Sequence, residues 1–122
     1  MSVNIQITKM RLPKEAREHL TSKLEALRKF IDLDGDRAKV AVEVGKTTMH
    51  HQKGNIFRAE ITIREGRYVF RADAEEADIL IAIDKMQKII LRNLRDAKKK
   101  SKEAKEKGAR AVKKTIRNTK GK

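Results

Sequence analysis

Residues 57–94 read FRAEITIREGRYVFRADAEEADILIAIDKMQKIILRNL, and within them the spacing of the apolar residues changes once. Phe57, Ala59, Ile61 and Ile63 alternate with polar neighbours, the period of a strand with one buried face. Glu65-Gly66 is the chemistry of a tight hairpin, and Tyr68, Phe70 and Ala72 resume the alternation as a second strand. Further on, Ile79, Ala82, Ile83, Met86, Ile90 and Leu94 recur at helical spacing. The helix is expected to begin around Ala74–Asp78, with Asp73, Glu75, Glu76 and Asp78 placing negative charge at its positive dipole end.

Upstream the same two periods occur in the opposite order. Val3, Ile5 and Ile7 alternate as a first strand. Pro13 suits the first turn of a helix, where its missing N–H costs little. Ala16, Leu20, Leu24, Leu27 and Ile31 then form the stripe of an amphipathic helix of about five turns. Asp34-Gly35-Asp36 is turn chemistry that stops it. Val40, Val42 and Val44 form another strand ending near Gly45, followed by a polar loop, Lys46–Gly54. The order is β-α-β-β-β-α. A helical crossover implies a parallel first pair and hairpins imply antiparallel neighbours, so the fold class is α+β. The expected architecture is a four-stranded mixed sheet with two helices packed on one face. The helical pattern fades after Ala97. Residues 1–102 are read as one domain and residues 103–122 as a basic tail, frayed or disordered when unbound.

The chain has 122 residues and a formal charge of +14, and no cysteine. A disulfide framework, a thiol nucleophile and a cysteine zinc site are thereby excluded, and a reducing cytoplasm fits. No apolar run is long enough to span a membrane and the amino terminus lacks a signal-peptide pattern. The charge is uneven: residues 97–122 hold 12 basic and 2 acidic side chains, a net of +10, against +4 for the first 96. Such a distribution predicts a polyanionic partner.

Opposite the apolar stripe of the second helix stand Lys85, Lys88, Arg92, Arg95, Lys99 and Lys102. Their spacings of three and four put them in one band about 100° wide. Exposed helix faces normally mix signs, because like charges one turn apart repel. Here Asp84 and Asp96 sit at the flanks and the band is uniformly positive, so a polyanion-binding ridge is favoured over a merely solvated face. The first helix adds Lys14, Arg17, Lys23, Arg28 and Lys29, interleaved with Glu15, Glu18 and Glu25. If the helices lie side by side, their outer faces make one basic surface and the groove between them suits a phosphate backbone. Contacts of this kind supply affinity and salt dependence but little sequence information.

Only four aromatic residues occur. Phe30 lies near the apolar face of the first helix, and Phe57, Tyr68 and Phe70 are assigned to core-facing strand positions. No aromatic pair is therefore expected to stack bases as in an RRM, and there is no GxxG clamp. Catalysis is not expected. His50-His51 has no partner at zinc spacing, and the acidic pairs read as a helix start and a turn. No phosphate-binding loop, dinucleotide fingerprint or nucleophile elbow is present. No cofactor, metal or small-molecule substrate is implied.

Residues 2–100 resemble the ribosome hibernation promoting factor and ribosome-associated inhibitor family. One part of the likeness is Ala16-Arg17-Glu18-His19-Leu20, then Lys23-Leu24, Leu27 and Lys29-Phe30. The other is Ala74-Glu75-Glu76-Ala77-Asp78-Ile79, then Ala82-Ile83-Asp84, then Arg92-Asn93-Leu94 and Lys98. The resemblance implies a β-α-β-β-β-α domain that binds the small ribosomal subunit between head and body, near the decoding centre. There it would overlap the paths of mRNA and tRNA and stop translation by occlusion in stationary phase or stress. Position by position, Lys23, Lys29, Arg92 and Lys98 match basic positions of the family. Arg28, Lys85, Lys88, Arg95, Lys99 and Lys102 are added from the charge pattern. Ile89 and Asp96 stand where the family often has lysine, and Asn93 where glutamine is usual. Residues 103–122 are too few and too polar for the second, dimerising domain of long members, so a short form, monomeric when free, is expected. Two other readings are a general RNA- or DNA-binding module acting through its lysine-rich tail, and a subunit whose basic face docks an acidic protein.

Overall fold

The computed structural model describes side chains for residues 2–31, 38–47 and 54–100, and backbone as far as Gly121. The elements are β1 (Ser2–Thr8), α1 (Lys14–Ile31), β2 (Lys39–Lys46), β3 (Phe57–Glu65), β4 (Tyr68–Glu76) and α2 (Ile79–Gly121). The sheet order is β1-β2-β3-β4. β1 pairs parallel with β2, and the remaining pairs are antiparallel. The expected β-α-β-β-β-α order and mixed sheet are therefore present, with both helices on one face.

Alternation decides which face the helices cover. Val40, Val42 and Val44 of β2 lie opposite Ile63, Ile61 and Ala59 of β3 in register, and all six are almost fully buried. Leu20, Leu24, Leu27 and Ile31 of α1 and Ile83, Met86, Ile90 and Leu94 of α2 complete the same cluster. β1 is an edge strand and its apolar row is only half covered: Val3 and Ile5 are each 40% exposed.

Local chemistry sets the element ends. Pro13 lies just before α1, and its carbonyl accepts the first helical hydrogen bond from Arg17 N–H at 2.9 Å. Gly66, with φ of 61°, supplies the left-handed turn of the β3–β4 hairpin, where a side chain would be strained. Gly45 faces Thr8 across the parallel pair, and a Cβ there would stand 2.2 Å from the Thr8 carbonyl oxygen. Only a glycine lets these strands approach so closely.

The start of α2 differs from the sequence reading. Ala74, Glu75 and Glu76 belong to β4, not to the start of α2, which begins at Ile79. Asp73 and Glu75 serve cross-strand ion pairs with Arg58, so their charge is used in the sheet. Asp78 alone caps α2: its Oδ1 accepts from Leu80 N–H at 2.7 Å, and its carbonyl accepts from Ala82 N–H at 3.0 Å.

The helices run parallel. His19 touches Asp84, and Phe30 touches Arg95, a separation of 65 residues in each case. Ile31 is thus level with Asp96. The backbone of α2 runs on to Gly121, roughly 37 Å past the end of α1. Lysine, arginine, alanine and glutamate, which dominate that extension, are strong helix formers. The Asp34–Asp36 turn, the His50-His51 pair and the side chain of Lys102 lie outside the described residues.

Candidate nucleic-acid interface

The two faces of the sheet carry charge differently. On the open face, Arg58 pairs with Asp73 at 2.6 Å and with Glu60 at 3.5 Å, and lies 4.0 Å from Glu75. Arg71 pairs with Glu60. Glu60 lies directly across from Asp73 and Glu43, a row of like charges that the two arginines offset. The Asp73 hydrogen bond chiefly, with the surrounding carboxylates, raises Arg58 above its ordinary value against the opposing effect of burial. A cleft of about 310 Å³ on this face mixes acids with bases, among them Glu43, Glu60, Lys9 and Lys46. Charge on this side is largely matched.

On the helix side it is not. Between Lys85 and Lys100, α2 carries seven cations and one acid, Asp96. Lys88, Arg92 and Lys99 are exposed and make no ion pair among the described residues; they form the crest of the ridge. The other members of the predicted band diverge from it. Lys85 leans toward the sheet edge and pairs with Glu76 of β4. Arg95 turns the other way and lies over the Phe30 ring at 5.5 Å, with Lys98 over the same ring at 5.8 Å. Two cations over one aromatic ring are attracted by its quadrupole and held at the seam between the helices. Spacing alone placed Phe30 among the packing residues and gave no hint of this second role.

The groove between the helices also holds an acid. Asp84 Oδ1 lies 2.6 Å from His19 Nε2 and 3.5 Å from Lys23 Nζ. Burial alone would raise the Asp84 carboxyl. The hydrogen bond and charge of His19 and the nearby Lys23 ammonium outweigh it and hold the group below its ordinary value. Lys23 is consequently half-buried and partly neutralised. On α1, Arg28 pairs with Glu25 at 3.4 Å and Lys14 with Glu18 at 3.9 Å, whereas Lys29 is exposed with no ion pair among the described residues. The basic surface is therefore a ridge on α2, with Lys29, Arg95 and Lys98 as a second cluster near the C-terminal end of α1.

Tyr68 requires a correction. Its alternation with Phe70 and Ala72 assigned it to the core, yet it is 62% exposed. It stands at the start of β4, the outer edge strand of the sheet, where correct facing alone does not bring burial. Among the described residues no group of three or more potential ligands could hold a metal ion, and no helix is long and apolar enough to cross a membrane.

The fold and this surface define a class: a small α+β domain with two parallel helices on one sheet face and a strong excess of positive charge along the longer helix. Residues 3–102 match the family model described as Sigma 54 modulation protein / S30EA ribosomal protein, and the chain belongs to that family. Among solved structures it is similar to a ribosomal subunit interface protein from Coxiella burnetii, at 14% identity and a TM-score of 0.63, over 80% of this chain and 98% of that one. It is also similar to the Protein Y N-terminal domain from Thermus thermophilus, at 21% identity and a TM-score of 0.60, over 77% of this chain and 96% of that one. At these identities the likeness speaks to the fold. A comparison with curated proteins returns no match.

Proposed function

We propose that the protein is a non-enzymatic stasis factor that binds the small ribosomal subunit near the decoding centre and blocks the binding of mRNA and tRNA. Family membership supports the ribosome as the target. The observation that carries the reading is the unpaired crest of Lys88, Arg92 and Lys99, flanked by Arg95 and Lys98 on Phe30. A convex helix with cations at turn spacing meets phosphates well but reaches no base edges, so it recognises a folded RNA by shape. Lys23, Arg28, Lys29, Lys85 and Lys102 are assigned supporting contacts, with Lys23 and Lys85 weaker because each already faces a carboxylate. The mechanism is occupancy: a bound domain in the channel excludes the message and the tRNAs, with no bond made or broken.

Co-sedimentation with small subunits, large subunits and empty ribosomes at moderate salt, with excess unrelated tRNA, tests this. Saturable one-to-one binding to small subunits and ribosomes that resists the competitor is expected. Reversal of Lys88, Arg92 and Arg95 to Glu should abolish it without unfolding the domain. Binding spread over every RNA and stripped by tRNA would instead assign the protein to general nucleic-acid binding through its basic tail.

A further inference from the structure

The aromatic pair at the β3–β4 hairpin plays no part in the ridge described above. Tyr68 and Phe70 stack with ring centroids 6.4 Å apart and planes 18° apart. Phe70 packs against the core, whereas Tyr68 is 62% exposed and the adjacent Val69 is 51% exposed. The two rings are near-parallel neighbours on one sheet face, and most of the tyrosine is left to solvent. Exposing so much aromatic surface forgoes the stabilisation its burial would bring.

Directly across the hairpin from Tyr68 stands Glu65, while Arg64 pairs with Val69 and points to the other sheet face. Arg67 adjoins Tyr68 in the turn, is exposed and makes no ion pair among the described residues. α2 supplies a second cation. Asn93 Nδ2 donates to the Arg71 carbonyl at 3.4 Å, which fixes the level of the helix against β4. From Asn93 to Lys100 is two helical turns along the same side, about 10 Å. From Arg71 to Tyr68 is three strand residues in the same direction, also about 10 Å. Lys100, which is exposed, is therefore level with Tyr68.

From this arrangement we infer that Tyr68, backed by Phe70, is a stacking platform for one unpaired base of single-stranded RNA, with Arg67 and Lys100 on the flanking phosphates. Every base offers a π-face, so stacking is sequence-tolerant and complements a ridge that reads only phosphates. Arg67 and Lys100 beside an exposed ring favour this occupant over an apolar protein segment. The inference rests on the RNA-binding reading above but occupies a separate site.

The chain contains one tyrosine and no tryptophan, so its intrinsic fluorescence reports on this ring alone. A short single-stranded oligoadenylate should quench it, and inorganic polyphosphate at equal phosphate concentration should not. Equal effects of both, or none from oligoadenylate, would overturn the proposal. A change produced only by ribosomal proteins stripped of RNA would also overturn it and give the face to a protein partner. Tyr68→Ala, at an exposed position, should weaken small-subunit binding between about fivefold and about 150-fold, and Tyr68→Trp should restore it. If Tyr68→Ala binds like the parent while the Lys88/Arg92/Arg95 reversal fails, the stacking site falls and the ribosomal reading stands. Quenching by oligoadenylate without binding to small subunits would do the opposite, upholding the stacking site and sinking the ribosomal reading.

Discussion

Replacing Lys88, Arg92 and Lys99 together by Gln removes the crest of the ridge. All three side chains are exposed and have no ion pair among the described residues, so stability should stay within about 0.5 kcal/mol of the parent. The effect belongs to the salt dependence of binding. Each phosphate contact releases counterions and contributes about 0.7 to 0.9 to the slope of log affinity against log salt. Three contacts contribute about 2.1 to 2.7, and a fourfold rise in salt spans about 0.6 of a decade. Between about 50 and 200 mM salt the parent should therefore lose roughly 20- to 40-fold more affinity for small subunits than the variant. Titrations across that range give the slope directly. Lys85→Gln is the internal control, since Lys85 already pairs with Glu76 and should change the slope by less than one crest residue does. An unchanged slope in the triple variant would refute the assignment of these cations to phosphates, whatever happened to affinity at one salt concentration.

Three further outcomes follow from the geometry. Gly45→Ala should cost about 1–3 kcal/mol in denaturant unfolding, because its Cβ would collide with the Thr8 carbonyl and push β1 from β2. Asp78→Ala should cost about 0.5–2 kcal/mol by the same measurement and Asp78→Asn far less, since Asn keeps an oxygen that accepts from Leu80 N–H. Asp84→Asn should cost no more than about 1 kcal/mol near neutral pH, its partly exposed site being screened. A carboxyl lowered in the folded state stabilises above its unfolded value and loses that contribution as pH falls through the folded one. The gap between parent and Asp84→Asn should accordingly close in acid, and urea unfolding as a function of pH checks it.

The elements were legible because each has a single apolar face. Val40, Val42 and Val44 can satisfy a period of two only as a strand, and Ile83, Met86, Ile90 and Leu94 only as a helix. The end of β4 was not, because Asp73, Glu75 and Glu76 fit a helix start as well as a charged strand edge. Only the position of Arg58 on the neighbouring strand decides between them. The ridge was legible as a charge pattern along one helix. The Phe30 seat for Arg95 and Lys98, the His19–Asp84 contact and the exposure of Tyr68 were not. Each depends on where separate elements come to lie in space, which no spacing within one segment encodes.

Side-chain contacts join the helices at two levels about 16 Å apart along their axes, His19 and Lys23 on Asp84 and Phe30 under Arg95 and Lys98. Pinned at two points, α1 and α2 can neither slide nor rotate past each other without breaking one of them. The rows of charge on their backs are thereby held at a fixed gauge before any partner arrives. Little ordering remains to be done on binding, and an RNA whose phosphates do not match that gauge meets a template that will not bend to fit it.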